Sequence, residues 1–411
     1  MIKPFPEYYK LSPSVKTFSF VTIGVGLVFF IIGVLLNLHY PARIWSVLFS
    51  TNLYFTLIGL AAIFWVTSQT IGYNGWFILL KRIPEAMGSF VKWGALLMIV
   101  ILALGSHSIY HWMHEGITNP ASPDYDALIA GKKPFLNQGF FWIATIVYLG
   151  LWVGLIYLVR KNSLESDKAW DLANYRRSKV ISMFFLVVFA VSTSTAIWHW
   201  LMSVDPHWLS TLYGWYCFIS MFVGSLSTIA LITIYLKENG HLKLVNDSHI
   251  HDLGKWVFAF SVAWTYLWFS QFMLIWYGNI PEETLYYRNR FESYQILYWL
   301  TFFINFVLPL LVLMTAGNKR NPNVLRFVAI LLVFGHWLDY YLMVTPGAVG
   351  NAGYYDANGQ AITNFGIGFM ELGLPTAYLG FFVYVVFTAL SKSSLVPINH
   401  PFVKESITHQ T

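Results

Sequence analysis

The stretch IWHWLMSVDPHWLSTLYGWY, residues 197–216, ends one long apolar segment and begins another within a few residues. Pro206 blocks helix continuation, and Asp205 beside it is a candidate cap for the helix that follows. Two His-Trp-Leu triplets, at 199–201 and 207–209, flank the turn. The stretch therefore predicts two apolar helices joined by a tight connection that carries titratable side chains.

Apolar segments of this kind recur along the whole chain. Of the 411 residues, 57% are hydrophobic and only 11% are charged, whereas a soluble domain has about 25% charged residues. A run of about 20 mostly apolar residues suits a helix that spans a bilayer. We therefore predict an all-α polytopic membrane protein with a single integral membrane domain over residues 1–411. The ten predicted spans cover approximately residues 17–38, 50–71, 88–110, 138–159, 179–202, 211–236, 256–278, 294–315, 324–345 and 369–391.

The distribution of lysine and arginine predicts the orientation. If the N-terminus is cytoplasmic and the spans alternate, 20 of the 25 basic residues lie on the inner side and 5 on the outer side. The positive-inside rule then predicts that both termini are cytoplasmic. The net charge of +6 reflects this asymmetry, so we do not read it as a sign of nucleic-acid binding. The five outer basic residues are Arg43, Lys132, Lys133, Arg288 and Arg290.

A faint internal repeat suggests how the spans are grouped. The fifth span ends in HWLMSVDP (199–206), and the ninth ends in HWLDYYLMVTP (336–346), which matches if three residues are inserted. Parallel duplication of a four-helix unit would place spans 2–5 and 6–9 in register; chance matching of short apolar segments is the alternative. The duplication predicts four-helix bundles at 50–202 and 211–345, with flanking helices at 17–38 and 369–391.

The ninth span carries a histidine and an acid at membrane depth. At a rise of ~1.5 Å per residue from Arg326, His336 lies near the midplane, and Asp339 lies one turn further out on the same face. Ionisable side chains inside a membrane are costly and point to function. The pair is a candidate proton relay or quinone contact, with Tyr340 adding a hydroxyl. A purely structural pair is the alternative.

Further titratable residues gather near the predicted outer surface. Imidazoles titrate near neutral pH, so a layer of them could pass protons outward. The alternatives are interfacial histidines beside tryptophan anchors, haem b held between His111 and His199, and zinc held by His107, His111 and Asp205. The candidate layer consists of His107, His111, His199, Asp205, His207 and Glu371.

The seventh span, WVFAFSVAWTYLWFSQFMLIWYGN (256–279), is aromatic throughout. Such a helix packs well against its neighbours, and it is also a candidate wall for a flat hydrophobic quinone. The candidate quinone-binding residues are Trp264, Trp268, Gln271, Phe272 and Trp276.

The only cysteine, Cys217, limits the redox chemistry that the chain itself can hold. One thiol excludes a thiolate-held iron–sulfur cluster and a C-x-x-C-H haem attachment within the chain. No span carries the adjacent histidine pair expected of a haem–copper centre. We therefore expect no metal or other redox cofactor bound in this chain.

Residues 192–216 (STSTAIWHWLMSVDPHWLSTLYGWY) and 266–290 (YLWFSQFMLIWYGNIPEETLYYRNR) carry a family resemblance. The chain resembles the second quinone-binding membrane subunit of bacterial alternative complex III, a quinol:cytochrome c oxidoreductase, within the wider group of NrfD-type subunits. The likeness implies two four-helix bundles with two flanking helices in a bacterial inner membrane. It also implies partners: a second NrfD-type subunit, an iron–sulfur subunit and c-type cytochromes carrying haem c, with a terminal oxidase as a further candidate.

The resemblance implies a subunit that scaffolds a quinol-oxidising complex, with quinone (menaquinone among the candidates) binding and proton conduction as further roles. The resemblance also implies that the second NrfD-type subunit usually has the quinol-oxidising role, so quinol binding by this chain stays open. Glu282, Glu283, Arg288 and Arg290 are candidates for docking a peripheral partner. The alternatives are a secondary transporter, against which the absence of an inverted repeat argues, and a purely structural membrane subunit.

Overall fold

A computed structural model describes residues 6–168, 171–356 and 359–411. Within these residues the chain is helical, without a strand longer than an isolated bridge, and ten helices are long and apolar enough to cross a membrane. The all-α prediction and all ten predicted spans are confirmed. The helices are α1 (Pro13–Leu36), α2 (Pro41–Ile71), α3 (Arg82–Ile109), α4 (Gln138–Glu165), α5 (Leu172–Val204), α6 (Tyr213–Glu238), α7 (Asp247–Gly278), α8 (Gln295–Val312), α9 (Pro322–Ala352) and α10 (Phe369–Leu390).

Several helices extend beyond the predicted apolar cores because polar residues cap them. Helix α7 starts at Asp247, where the Asn246 side chain accepts hydrogen bonds from two backbone N–H groups of the first turn. Helix α9 does not end at residue 345, as predicted, but continues through Pro346 to Ala352. The expected capping of the sixth span by Asp205 is wrong: α6 begins at Tyr213 without a side-chain cap, and Asp205 lies in the preceding connection.

The helix contacts form two rings. Helices α2, α3, α4 and α5 contact one another in sequence around one ring, and α6, α7, α8 and α9 do so around a second. The rings meet where α2 packs against α6 and α9, and α2, α6 and α9 are the most buried helices. These contacts are compatible with bundles at 50–202 and 211–345, and that division itself stays a prediction.

Helices α1 and α10 pack against each other beside the rings, and α10 also contacts α2. Small residues allow the close approach of these two helices, as is common between membrane helices. A Cβ added at Gly26 would lie 2.4 Å from the backbone nitrogen of Ala377, and one at Gly373 would lie 2.5 Å from that of Phe30. Side chains at these positions would therefore force α1 and α10 apart.

The connections gather at two opposite ends of the helices. At one end the N-terminal segment meets the C-terminal segment, since the Leu395 N–H donates to the Glu7 carbonyl at 2.7 Å. The Ser406 hydroxyl of the same segment donates to the Trp76 carbonyl at 2.6 Å. We call this end the predicted inner end and the opposite one the predicted outer end, after the charge distribution. A helix at Pro281–Ser293, between α7 and α8, lies at the predicted outer end.

Candidate functional site

A buried carboxyl group lies between α6, α7 and α9. Asp339 on α9 is 3% exposed. Its Oδ2 accepts hydrogen bonds from the Ser220 hydroxyl at 2.7 Å and from the Trp264 indole N–H at 2.9 Å. Its Oδ1 accepts one from the Tyr216 hydroxyl. No lysine or arginine in the described chain forms an ion pair with Asp339, so three neutral donors surround this titratable group.

His336 joins this group through a serine. The Ser220 hydroxyl lies 3.0 Å from His336 Nδ1 and 2.7 Å from Asp339 Oδ2. The predicted shared face is therefore present, with Ser220 as the bridge between imidazole and carboxyl. Sequence reasoning missed both partners on α6, although Tyr216 and Ser220 stand four residues apart on one helix face. We call His336, Asp339, Ser220, Tyr216 and Trp264 the Asp339 cluster.

A short π-helical turn in α8 brings one more polar side chain to α9. The turn spans Phe303–Val307, and Asn305 within it is fully buried. Gly335, the residue before His336, makes room for this amide, because a Cβ at that position would lie 2.1 Å from Asn305 Oδ1. Both amide atoms of Asn305, and Nε2 of His336, have no hydrogen-bond partner among the described residues. Turns of this type often occur at functional sites.

A small cavity adjoins Asp339 and extends toward the predicted outer end. It has a volume of about 20 Å³, which is room for about one water molecule. Unpartnered polar atoms, Gln271 Oε1 and the Tyr298 hydroxyl, belong to its lining residues. Pockets for organic ligands measure about 300–1,000 Å³, so a quinone ring does not fit this cavity. The lining residues are Tyr216, Trp268, Gln271, Tyr286, Tyr287, Arg290, Tyr298, Thr301, Asp339, Leu342 and Met343.

An arginine and an acid lie at the outer side of this cavity. Arg290 is 2% exposed, which corrects its expected role in docking a peripheral partner. Its guanidinium donates to Asp205 Oδ2 at 3.3 Å and lies over the Tyr286 ring. Burial raises the pKa of Asp205 above its ordinary value, and Arg290 opposes that effect. A Cβ on Gly347 would come within 2.6 Å of Asp205, so the glycine makes space for this carboxyl.

The predicted outer layer is divided among separate partners. His199 is fully buried, stacks on Phe135 at a centroid distance of 4.0 Å, and lies 3.2 Å from the Tyr148 hydroxyl through Nδ1. His207 instead contacts Asp126, with 2.5 Å between Nε2 and Oδ2. The described structure contains no hydrogen bond between the side chains of these two histidines and Asp205.

Glu371 has a structural partner that sequence reasoning missed. It is fully buried and accepts a hydrogen bond from Arg43 Nε at 2.7 Å. It also accepts one from the Gly368 N–H at 2.9 Å, while Arg43 donates to Asn37 at 2.7 Å. This ion pair ties α10 to the start of α2.

His107 and His111 lie at the end of α3, and no hydrogen bond within the described residues joins either to Asp205. His114 contacts the His107 carbonyl at 2.7 Å, and the His111 and His114 rings meet edge to face. Across the described ranges, no group of three or more histidine, cysteine or acidic residues is arranged to hold a metal ion. The haem b alternative likewise gains no support, because the rings that surround His199 are those of Phe135, Phe140, Phe141 and Tyr148.

The candidate quinone residues of α7 separate into two groups. Trp264, Trp268 and Gln271 are buried and face the Asp339 side, and Phe272 packs against Tyr287 and Phe291. Trp276, in contrast, is 68% exposed and faces away from the neighbouring helices. The Tyr340 hydroxyl donates to the Cys217 carbonyl at 2.9 Å instead of reaching Asp339.

Sequence reasoning also missed a buried ion-pair network at the predicted inner end. Arg82 bonds to Glu85 at 2.7 Å and to Asp167, and Arg160 donates to the Glu85 carbonyl at 2.8 Å. Lys81 lies 3.8 Å from Glu85. Each acid has a cationic partner, so this network joins α3 to α4 structurally, whereas Asp339 has none.

Comparison with known proteins adds no relative to this picture. The chain matches no protein family model, and it matches no curated protein. The function is therefore argued from the geometry of the chain's own residues and from the resemblance carried by residues 192–216 and 266–290.

Proposed function

We propose that this chain is a proton-transferring membrane subunit of a quinol:cytochrome c oxidoreductase of the alternative complex III type. The ten helices that are long and apolar enough to cross a membrane are consistent with a membrane subunit. The proton-transferring role rests on the Asp339 carboxyl, which is buried without an ion-pair partner and adjoins a small cavity that also reaches Arg290. The assignment to this type of complex rests on the resemblance carried by residues 192–216 and 266–290. Buried ionisable groups in membrane proteins commonly mark proton pathways.

The contacts supply a chain of groups that can exchange protons. His336, the Ser220 hydroxyl and Asp339 are joined by hydrogen-bonding distances of 3.0 and 2.7 Å. The cavity continues from Asp339 to Arg290, which binds Asp205. Because burial raises the pKa of Asp205, this carboxyl can hold a proton at a higher pH than a solvated aspartate. We infer a path from His336 through Asp339 to Asp205.

The size of the cavity favours proton transfer over quinone binding beside Asp339. A space of about 20 Å³ admits about one water molecule, which suits proton movement and excludes a quinone ring. We therefore place no quinol oxidation at Asp339, and the resemblance gives that role to the second NrfD-type subunit of the proposed complex. In this structure the space beside Asp339 also admits no solute larger than about one water molecule, so it does not support a transporter's substrate site there.

Purification at native stoichiometry tests the proposed assignment to a complex. The chain, tagged at one terminus and extracted in mild detergent, should bring with it c-type haem and iron in fixed ratio. Haem c is measured by the pyridine haemochrome spectrum, and iron by elemental analysis. A chain that purifies alone or as a homo-oligomer would contradict the proposal and favour the transporter alternative.

A further inference from the structure

A large groove runs along the surface between α3, α4 and α10, remote from the Asp339 cluster. It has a volume of about 970 Å³, at the upper end of the range of about 300–1,000 Å³ found for ligand pockets. On α4 its lining extends from Val153 to Glu165, which corresponds to about 18 Å along a helix axis. The groove is therefore long enough to follow much of one membrane leaflet.

Basic side chains gather at one end of this groove. Five cations and one acid, Glu165, belong to its lining, and all lie at the predicted inner end. None of the four lysines forms an ion pair within the described residues. Arg160 differs, because it donates to the carbonyls of Glu85 and Ala389. The five cations are Lys92, Arg160, Lys161, Lys168 and Lys392.

The walls away from this basic end are apolar and aromatic. Val153, Ile156, Phe381 and Val385 line them, and Gly154 opens the α4 side, since a Cβ there would meet nothing within 4 Å. Aromatic rings stand near the charged end. Lys92 lies 5.3 Å from the Trp93 ring centroid, and Lys161 lies 5.9 Å from that of Tyr157. Aromatic residues of this kind are typical of the level of lipid headgroups.

We propose that this groove binds one anionic phospholipid from the leaflet on the predicted inner side. Its phosphate would lie among Lys92, Lys161 and Lys392, and its acyl chains would follow the apolar walls. Charge complementarity favours a lipid over a partner helix, because the basic residues occupy only the predicted inner end of the groove, where lipid headgroups lie. Basic pockets between membrane helices on the cytoplasmic side bind anionic headgroups in this way.

Native mass spectrometry of the purified protein, with its accompanying subunits, tests the site. Dioleoyl phosphatidylglycerol or dioleoyl phosphatidylcholine is added to the detergent, and bound lipids are counted. The triple variant K92Q/K161Q/K392Q should reduce phosphatidylglycerol retention at least about tenfold. The control K10Q/K243Q/K404Q removes the same charge from exposed inner residues outside the groove and should retain the lipid.

A second variant tests the groove without changing charge. Gly154→Leu fills the groove and should also abolish retention, whereas Gly150→Leu, on the same helix with equal free space and outside the groove, should not. Equal retention of phosphatidylglycerol by wild type and both groove variants would overturn the proposal. So would equal retention of phosphatidylcholine and phosphatidylglycerol by the wild type.

Discussion

The His-Trp dipeptides at 199–200 in α5 and 336–337 in α9 share one structural role. In each, the tryptophan is buried and donates its indole N–H to a threonine hydroxyl on a neighbouring helix. The acceptor is Thr145, at 2.9 Å, in the first case and Thr51, at 3.1 Å, in the second. A buried indole N–H needs a partner, so both tryptophans fix one helix against another.

The two histidines have different surroundings. His199 stacks on Phe135, and its Nδ1 lies 3.2 Å from the Tyr148 hydroxyl. His336 contacts Ser220, which also bonds to Asp339. The residue three positions after the histidine is Met202 in α5 and Asp339 in α9. The tryptophan of the repeated dipeptide thus packs one helix against another in both copies. Only the copy in α9 has a carboxyl group three residues after its histidine.

The largest expected effect tests the shared role of the two tryptophans. Trp200→Ala and Trp337→Ala should each lower the free energy of unfolding by about 3–5 kcal/mol, because each leaves a cavity and an unpaired threonine hydroxyl. Thermal unfolding in detergent measures the loss. Trp215, which is 67% exposed, is the control, and its replacement by alanine should change stability by about 0.5 kcal/mol or less. A large loss for only one of the buried pair would break the comparison.

The next effect separates structural acids from the proposed proton path. Glu371→Ala leaves Arg43 buried without its partner and should cost about 3 kcal/mol of stability. We expect less assembled complex, measured by size-exclusion chromatography, but unchanged turnover per assembled complex. Reduced turnover with normal assembly would return Glu371 to the predicted outer layer of proton-transferring groups.

The smallest effect concerns the pair Asp126–His207 in the outer connections. Partial burial disfavours the carboxylate, but hydrogen bonds from His207 and the Ile129 N–H hold the pKa of Asp126 below its ordinary value. A lowered pKa contributes stability that is complete above the unfolded-state value of about 3.9 and is lost as pH falls through the folded value. Hydrogen exchange of residues 126–131, corrected for intrinsic rates, should therefore accelerate below about pH 4. Asp126→Asn should remove this acid-dependent step, and an identical step in that variant would contradict the assignment.

The sequence was sufficient for the spans because each depends on local apolar composition, which a single helix displays by itself. It also placed His336 and Asp339 on one face, since helical spacing is local. The partners could not be predicted in the same way. Ser220 lies 119 residues from Asp339, and Arg43 lies 328 residues from Glu371. Such pairs depend on how distant helices pack, so no spacing in the chain reveals them.

The outer connections show the same limit. Asp205 has the local signature of a helix cap, yet it binds Arg290, which is 85 residues away on a separate helix. Burial of Arg290 was equally hidden, because a charged residue in a polar loop normally stays exposed. In physical terms, local patterns set the helices, and tertiary contacts decide which charged groups become buried and which partners they meet.

Proton release by the reconstituted complex directly tests whether Asp339 transfers protons. With quinol as donor and cytochrome c as acceptor, Asp339→Asn keeps the shape of the side chain but removes its titration. We predict normal assembly, with turnover and proton release lowered about tenfold, which corresponds to a barrier increase of about 1.4 kcal/mol. His199→Asn, which removes the titratable group of the copy without an acid, should leave both rates within about twofold. Wild-type proton release and turnover in an intact Asp339→Asn complex would contradict the account and leave Asp339 a structural residue.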